Sequence, residues 1–411
     1  MSTLVRVPAL LIHMSRPLPA GGDKNPRRAL ARPGLPRSRS RRTARQTRHH
    51  PSPYVASVCV LIELHAMQPR VRAGTFEQLR MRAHFDNTAF VEHYALNPTQ
   101  IRRQHATRTD HGVTVKLGYR PPYDVSAMLG FFKKRQIDSL EWVSDDPSEP
   151  RMRRTLRVDA GGKTHAGWLS ARFDQLRCLV ELQVSESLHQ VLPLVIRRLR
   201  AMLDLDAVPQ AINSVLHQSF PGGDGLRVPG AMDGFELAVR AVLGQQITVA
   251  AARTLGQRLV DTLGEPMGTP WPELMRLFPS AAVLAQASGE TLGRLGIIKQ
   301  RQVALLGLAK AVAEKRLQLH AGAAVNPTIS ALKELPGIGD WTAQYIAMRA
   351  LRWPDAFPAG DMALHQALAV RGLKNPIRQA ELASMAWRPW RSYAVIRAWS
   401  GALHAAPRRA P

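Results

Sequence analysis

The chain of 411 residues is long enough for two or three domains and a substantial buried core. Lys and Arg number 56 against 31 Asp and Glu, a net charge of +25, which favours a polyanionic partner over a neutral or cationic one. Two cysteines, Cys59 and Cys178, exclude a disulfide framework or a four-cysteine zinc or iron–sulfur site, and no apolar run approaches the roughly 20 residues needed to cross a bilayer.

Residues 1–75 read as a disordered basic tail rich in Pro and Arg. Pro17, Pro19, Pro26, Pro33 and Pro36 punctuate Arg27-Arg28 and the run Arg37 to Arg42. Such a stretch cannot bury enough apolar surface to offset its ordering entropy. Ala9-Leu10-Leu11-Ile12 is too short for a signal peptide, so a soluble cytoplasmic, nucleoid-associated protein is expected. Residues 1–110 hold 19 basic and 6 acidic side chains, about half of the excess. The remainder therefore keeps the electrostatic footprint of a nucleic-acid binder. A helical passage from Phe76 to Arg103 follows. Its Phe90, Tyr94, Leu96, Pro98, Ile101 and Arg102 resemble the closing helix of an AraC-type helix-turn-helix domain, so 76–110 reads as a remnant of one.

From residue 113 to 204 an α+β domain is expected. Val113 to Leu117 alternates like a strand, and Pro121-Pro122-Tyr123-Asp124 starts a helix running to about Lys134. Alternating runs at Thr155–Val158, Ala166–Phe173 and Leu176–Val184 bracket a Gly161-Gly162 turn, predicting an antiparallel sheet with Cys178 packed in a strand. A helix over Leu188–Leu203 closes this block. Residues 205–405 read as helices: Phe235–Leu263, Pro270–Leu277, Ser280–Gln286, Gly289–Leu295, Lys299–Ala313, Thr328–Glu334, Thr342–Leu351, Met362–Arg371 and Ala380–Leu403. His13, His49, His50, His365 and His404 form no metal-ligand spacing.

The most informative stretch is Leu335-Pro336-Gly337-Ile338-Gly339-Asp340-Trp341-Thr342-Ala343. Two glycines after Leu-Pro and before a helical run describe a tight hairpin opening a helix. Glycine lets the backbone approach a ligand closely, and the unpaired first-turn N–H groups of the next helix suit a phosphate. Asp361 lies 24 residues after Gly337. It precedes Met-Ala-Leu-His-Gln and is therefore also a good helix N-cap.

These residues, with Pro121-Pro122-Tyr123-Asp124, Met128 to Phe131, Gly225 to Gly230, Arg240 to Gln245 and Trp387 to Tyr393, resemble the AlkA-type 3-methyladenine DNA glycosylases of the helix-hairpin-helix superfamily over about residues 115–403. The resemblance implies a small antiparallel sheet domain joined to helical subdomains, with the active cleft between the latter. It implies excision of alkylated bases from double-stranded DNA after the nucleotide is flipped from the helix, by a monomer that needs no cofactor. Asp361 then fills the catalytic position, where a carboxylate stabilises an oxocarbenium-like sugar or activates water. Trp341, Tyr345, Trp399, Phe131 and Met362 fall at base-pocket positions, and electron-rich rings attract a methylated, cationic base. Met362 and Ala127 stand where family members carry a tyrosine and a tryptophan.

Gly337, Ile338, Gly339 and Thr342 are implied DNA contacts, and Gln246 stands at the position of the side chain that fills the gap left by the flipped nucleotide. Main-chain carbonyls of Lys333, Leu335 and Ile338 would hold a structural sodium or potassium ion. Relatives that also cut the strand use a lysine where this chain has Trp341, which favours a monofunctional enzyme. The competing reading is a non-catalytic helix-hairpin-helix protein that binds DNA or senses lesions.

Overall fold

The computed structural model describes residues 112–401. The basic tail and the helix-turn-helix remnant expected over 1–110 lie outside the described residues.

Alternating apolar side chains build a five-stranded antiparallel sheet in the order β1-β5-β4-β3-β2. Its strands are β1 (Val113–Gly118), β2 (Glu141–Val143), β3 (Arg151–Ala160), β4 (Lys163–Asp174) and β5 (Leu179–Val184). Gly161 and Gly162, both at positive φ, join β3 to β4 in a two-residue turn, and Ala160 pairs with Lys163. Left-handed values at both central positions match the twist of the flanking strands. Helix α1 (Val125–Lys133) is capped by Asp124, which accepts from Ala127 N at 2.8 Å. Helix α2 (Leu192–Leu203) buries Leu192, Val195, Ile196, Leu199 and Leu203, a helical stripe packed with α1 and the sheet in one core.

The remaining chain is helical: α3 (Pro209–Leu216), α4 (Gly234–Leu243), α5 (Val249–Leu263), α6 (Ala281–Ala285), α7 (Gly289–Arg294), α8 (Lys299–Ala313), α9 (Val325–Lys333), α10 (Asp340–Arg349), α11 (Met362–Ala367), α12 (Pro376–Ser384) and α13 (Arg391–Trp399). Two apolar cores form, one around α4 and α8, the other around α13. Helix α10 feeds both: Ala343 and Ile346 enter the first, Ala347 and Met348 the second. A buried ionic cluster ties sheet to helices. Arg154 of β3 meets Glu236 of α4 at 2.6 Å, and Arg240 of α4 meets Glu141 of β2 and Glu236, each at 2.8 Å.

Several expected elements differ. Phe235–Leu263 is two helices, α4 and α5, parted at Gly244–Thr248, where Gln246 takes φ 56. Pro270–Leu277 is irregular and carries isolated bridges Ser139–Leu274 and Pro266–Arg276; the Thr269 hydroxyl donates to backbone carbonyls there instead of a helical ladder forming. Cys178 sits at φ 52 in the turn between β4 and β5, not in a strand. Met362–Arg371 ends at Ala367, and Ala380–Leu403 is broken around Arg388-Pro389, where proline supplies no helical donor.

Candidate active site

A cleft of about 1220 Å³, expected between the helical subdomains, is walled by the sheet domain as well, and is lined by Phe131, Arg135, Trp341, Tyr345, Arg349, Asp361 and Trp399 among others. Asp361 is the N-cap of α11, and its Oδ1 accepts from Leu364 N at 2.8 Å. Two indoles complete its grip. Trp399 Nε1 donates to Oδ1 and Trp341 Nε1 donates to Oδ2, both at 3.0 Å. With three donors on two oxygens the carboxylate cannot rotate, and an ionised acceptor makes such bonds strong. Each of the three comes from a different element: α11, the start of α10 and the end of α13.

The rings form a continuous wall. Trp341 and Tyr345 stack at 5.3 Å with planes 16° apart, and Tyr345 meets Trp399 at 6.3 Å and 39°. Their one-turn spacing on α10 places Trp341 and Tyr345 on the same face. Phe131 arrives from α1, so the sheet domain contributes part of the lining.

Two arginines unforeseen in the sequence reading stand among these rings. The Arg135 guanidinium lies 3.7 Å from the Phe131 ring centre, and that of Arg349 lies 4.7 Å from it. Arg349 is buried and donates to Tyr345 Oη at 2.6 Å, to Pro229 O at 2.8 Å and to Gly230 O at 3.0 Å. Burial acts to raise the Tyr345 pKa, but the charges of Arg349 and Arg135 outweigh it and hold the phenol below its ordinary value. A sequence signal existed for both: Phe131 and Arg135, like Tyr345 and Arg349, are four residues apart, the spacing at which helical side chains meet.

The hairpin lies between α9 and α10. Gly337 has φ 81, and a Cβ there would stand 3.1 Å from Ala304 Cβ; Gly339 is extended, with open space where a Cβ would be. Among the described residues neither glycine amide donates to a protein acceptor, while Ile338 N donates to Leu335 O at 3.1 Å. Lys333 Nζ pairs with Asp340 at 3.0 Å and so offsets the acid beside the hairpin.

Three expected site residues are placed differently from the reading above. Met362 is 59 % exposed and does not line the cleft, because one helical step beyond the N-cap turns it outward. Thr342 is 2 % exposed and its hydroxyl accepts from Gln245 Nε2 at 2.9 Å, so it faces the protein interior. Ile338 is buried as well. Gln246 is exposed at the tip of the α4–α5 loop, where a side chain is free to reach a ligand. Among the described residues no group of three or more His, Cys, Asp or Glu could hold a metal, and no helix is long and apolar enough to cross a membrane.

Two family models match the chain: "AlkA N-terminal domain" over residues 114–233 and "HhH-GPD superfamily base excision DNA repair protein" over residues 239–392. The probable bifunctional transcriptional activator/DNA repair enzyme AlkA of Mycobacterium tuberculosis (strain CDC 1551 / Oshkosh) is 35% identical over 324 residues, 75% of this chain and 62% of that protein. DNA-3-methyladenine glycosylase 2 of Escherichia coli (strain K12) is 34% identical over 283 residues, 69% of this chain and 95% of the relative. The chain thus spans less than two thirds of the mycobacterial relative and nearly all of the one from E. coli. Among solved structures, the 3-methyladenine DNA glycosylase from Archaeoglobus fulgidus aligns with a TM-score of 0.56 at 17% identity, covering 70% of this chain and 97% of that one. That likeness shows a common fold.

Proposed function

This chain belongs to the AlkA-type branch of the HhH-GPD superfamily of base excision DNA repair proteins, and from that premise we propose that it is a monofunctional DNA glycosylase removing alkylated bases, such as 3-methyladenine and 7-methylguanine, from double-stranded DNA. The observation that carries this reading is the Asp361 carboxylate held by Trp341 and Trp399 inside an aromatic cleft.

In this mechanism the damaged nucleotide leaves the duplex and its base enters the cleft. Asp361 faces the deoxyribose and stabilises positive charge on the sugar as the N-glycosidic bond lengthens. Water then attacks the sugar, with Asp361 able to take its proton. Arginines already cover the Phe131 ring, Arg349 also lies 5.3 Å from the Tyr345 ring centre, and Tyr345 stacks on Trp341, so the faces left for a cationic base belong to Trp341 and Trp399. Trp341 at the position of the strand-cutting lysine supports hydrolysis without a Schiff base.

The free amides of Gly337 and Gly339 are the proposed phosphate donors, and Gln246 the side chain that fills the vacated stack. Carbonyls of Lys333, Leu335 and Ile338 border the same turn. The Leu335 oxygen keeps a second lone pair beyond its bond to Ile338, and a sodium or potassium ion held by these carbonyls would add positive charge toward a phosphate. A monomer acting on nucleoid DNA in the cytoplasm, and a domain order of 1–75 tail, 76–110 helix-turn-helix remnant, 113–204 α+β domain and 205–405 glycosylase domain, complete the reading.

The test is release of free base from a duplex carrying one 7-methylguanine. Wild type releases it and leaves the strand intact until alkali is added. Binding without release would make the protein a lesion sensor, and strand cleavage without alkali would overturn the monofunctional assignment.

A further inference from the structure

The loop that presents Gln246 is not held by its own helices alone. Its neighbour Gln245 turns inward and reaches the hairpin, about ninety residues later in the chain. Gln245 Nε2 donates to Gly337 O at 2.9 Å and to Thr342 Oγ1 at 2.9 Å. From a third side the buried Arg301 of α8 donates through Nη2 to the Gln245 carbonyl. One residue therefore bonds with the hairpin turn, the helix it opens and α8, while the next residue takes a left-handed backbone and points to solvent.

Resting on the glycosylase reading above, we propose that Gln245 is a positioning residue that locks the Gln246 loop to the phosphate-gripping hairpin, so that seating of the DNA backbone on the hairpin sets where Gln246 enters the base stack. The amide is suited to this. Its two N–H groups satisfy two acceptors, the Gly337 carbonyl on the hairpin turn and the Thr342 hydroxyl on the helix that follows. Thr342, expected from sequence to touch DNA, belongs to this brace, while Ile338 packs in the core beneath it. Without the Gln245 side chain the loop would keep its own backbone bonds, the Thr248 cap and the Arg301 bond to the Gln245 carbonyl, but would lose both of this side chain's ties to the hairpin and α10.

The experiment compares wild type with Gln245→Leu, Gln245→Glu and Gln246→Ala. Glutamate keeps the size but offers only acceptors to the Gly337 carbonyl. Single-turnover release is measured for 7-methylguanine paired in a duplex and for the same lesion in an unpaired bulge, where little stacking opposes extrusion. Gln245→Leu loses both hydrogen bonds, whereas Gln245→Glu loses the one to the Gly337 carbonyl, since the Thr342 hydroxyl can turn to donate. Release from the paired duplex should therefore slow about tenfold or more in the leucine variant and several-fold in the glutamate variant. Release from the bulge should stay within about twofold of wild type, and so should affinity for undamaged duplex. In the Gln246→Ala background, Gln245→Leu should add little further loss, since the two act as a unit. Equal slowing on both substrates, or full additivity with Gln246→Ala, would show a merely structural role and overturn the inference. Wild-type speed in both Gln245 variants would overturn it too. An absence of release by wild type would instead fail the glycosylase reading on which the proposal stands.

Discussion

Asp361→Asn separates charge from shape at the centre of the cleft. Asparagine is as good an N-cap as aspartate, so α11 keeps its start. Two other things change. A unit negative charge about 4 Å from a cationic sugar contributes about 4 kcal/mol at an effective dielectric of 20. Its loss should slow base release about 10³-fold, at 1.4 kcal/mol per tenfold. The second effect comes from the three donors aimed at the carboxylate, from Leu364 N, Trp399 Nε1 and Trp341 Nε1. An amide has one acceptor oxygen, so its NH₂ must face an N–H group at about the same site, leaving a part-buried donor unpaired. That costs about 1–3 kcal/mol of stability, visible as a lower melting temperature. The assay pairs single-turnover release of 7-methylguanine with a thermal melt and a binding titration on the same preparation. Less than a tenfold loss of rate in a variant that melts at the wild-type temperature would refute the electrostatic role and the clasped geometry together.

The two hairpin glycines should respond oppositely to alanine. Gly337→Ala forces a side chain into φ 81 and within 3.1 Å of Ala304 Cβ, so it should destabilise the fold by about 1–2 kcal/mol in a denaturant titration. Gly339→Ala meets neither obstacle and should melt like wild type, while its methyl group weakens affinity for duplex DNA in a fluorescence titration. Arg349→Met leaves the Pro229 and Gly230 carbonyls unpaired and removes one of the two arginines on the Tyr345 phenol, and should cost about 3 kcal/mol or more by the same titration. For Glu236, burial raises the pKa, but Arg154 and Arg240 outweigh it and hold the folded value below the ordinary 4.5. The sign follows: a depressed folded value stabilises the protein above pH 4.5, and that contribution is lost as pH falls through the lower folded value. Arg154→Met should therefore lower stability near neutral pH by about 3–5 kcal/mol and flatten the fall in stability below pH 4.5, as followed by circular dichroism.

What could be read from residue order was whatever local chemistry carries. The alternation of β3 to β5, the boundaries of α8, and the spacing that brings Trp341, Tyr345 and Asp361 together all lie within short windows. Trp399 and Phe131 were reached through family resemblance, and both line the cleft. Contacts between distant segments were not legible. Gln245 is 97 residues from Thr342, and nothing in either neighbourhood announces their bond. Met362 was misplaced because adjacency to a functional residue in sequence says little on a helix, where one step is a large rotation. The irregular 270–277 segment had helix-compatible residues but found its partners in the sheet domain through Ser139. Arg135 and Arg349 stand four residues after Phe131 and Tyr345, a spacing that brings side chains together on a helix without saying that both enter a cleft.

Because Phe131 and Arg135 are borrowed from the opposite half of the molecule, deleting the sheet block would not yield a smaller enzyme with the same appetite. Removing it would also strand Glu236 and Arg240 of α4 without Arg154 and Glu141, besides opening the aromatic wall along one flank. Under the glycosylase proposal, exchanging that block between homologues should change which bases the cleft admits while leaving Asp361 in place.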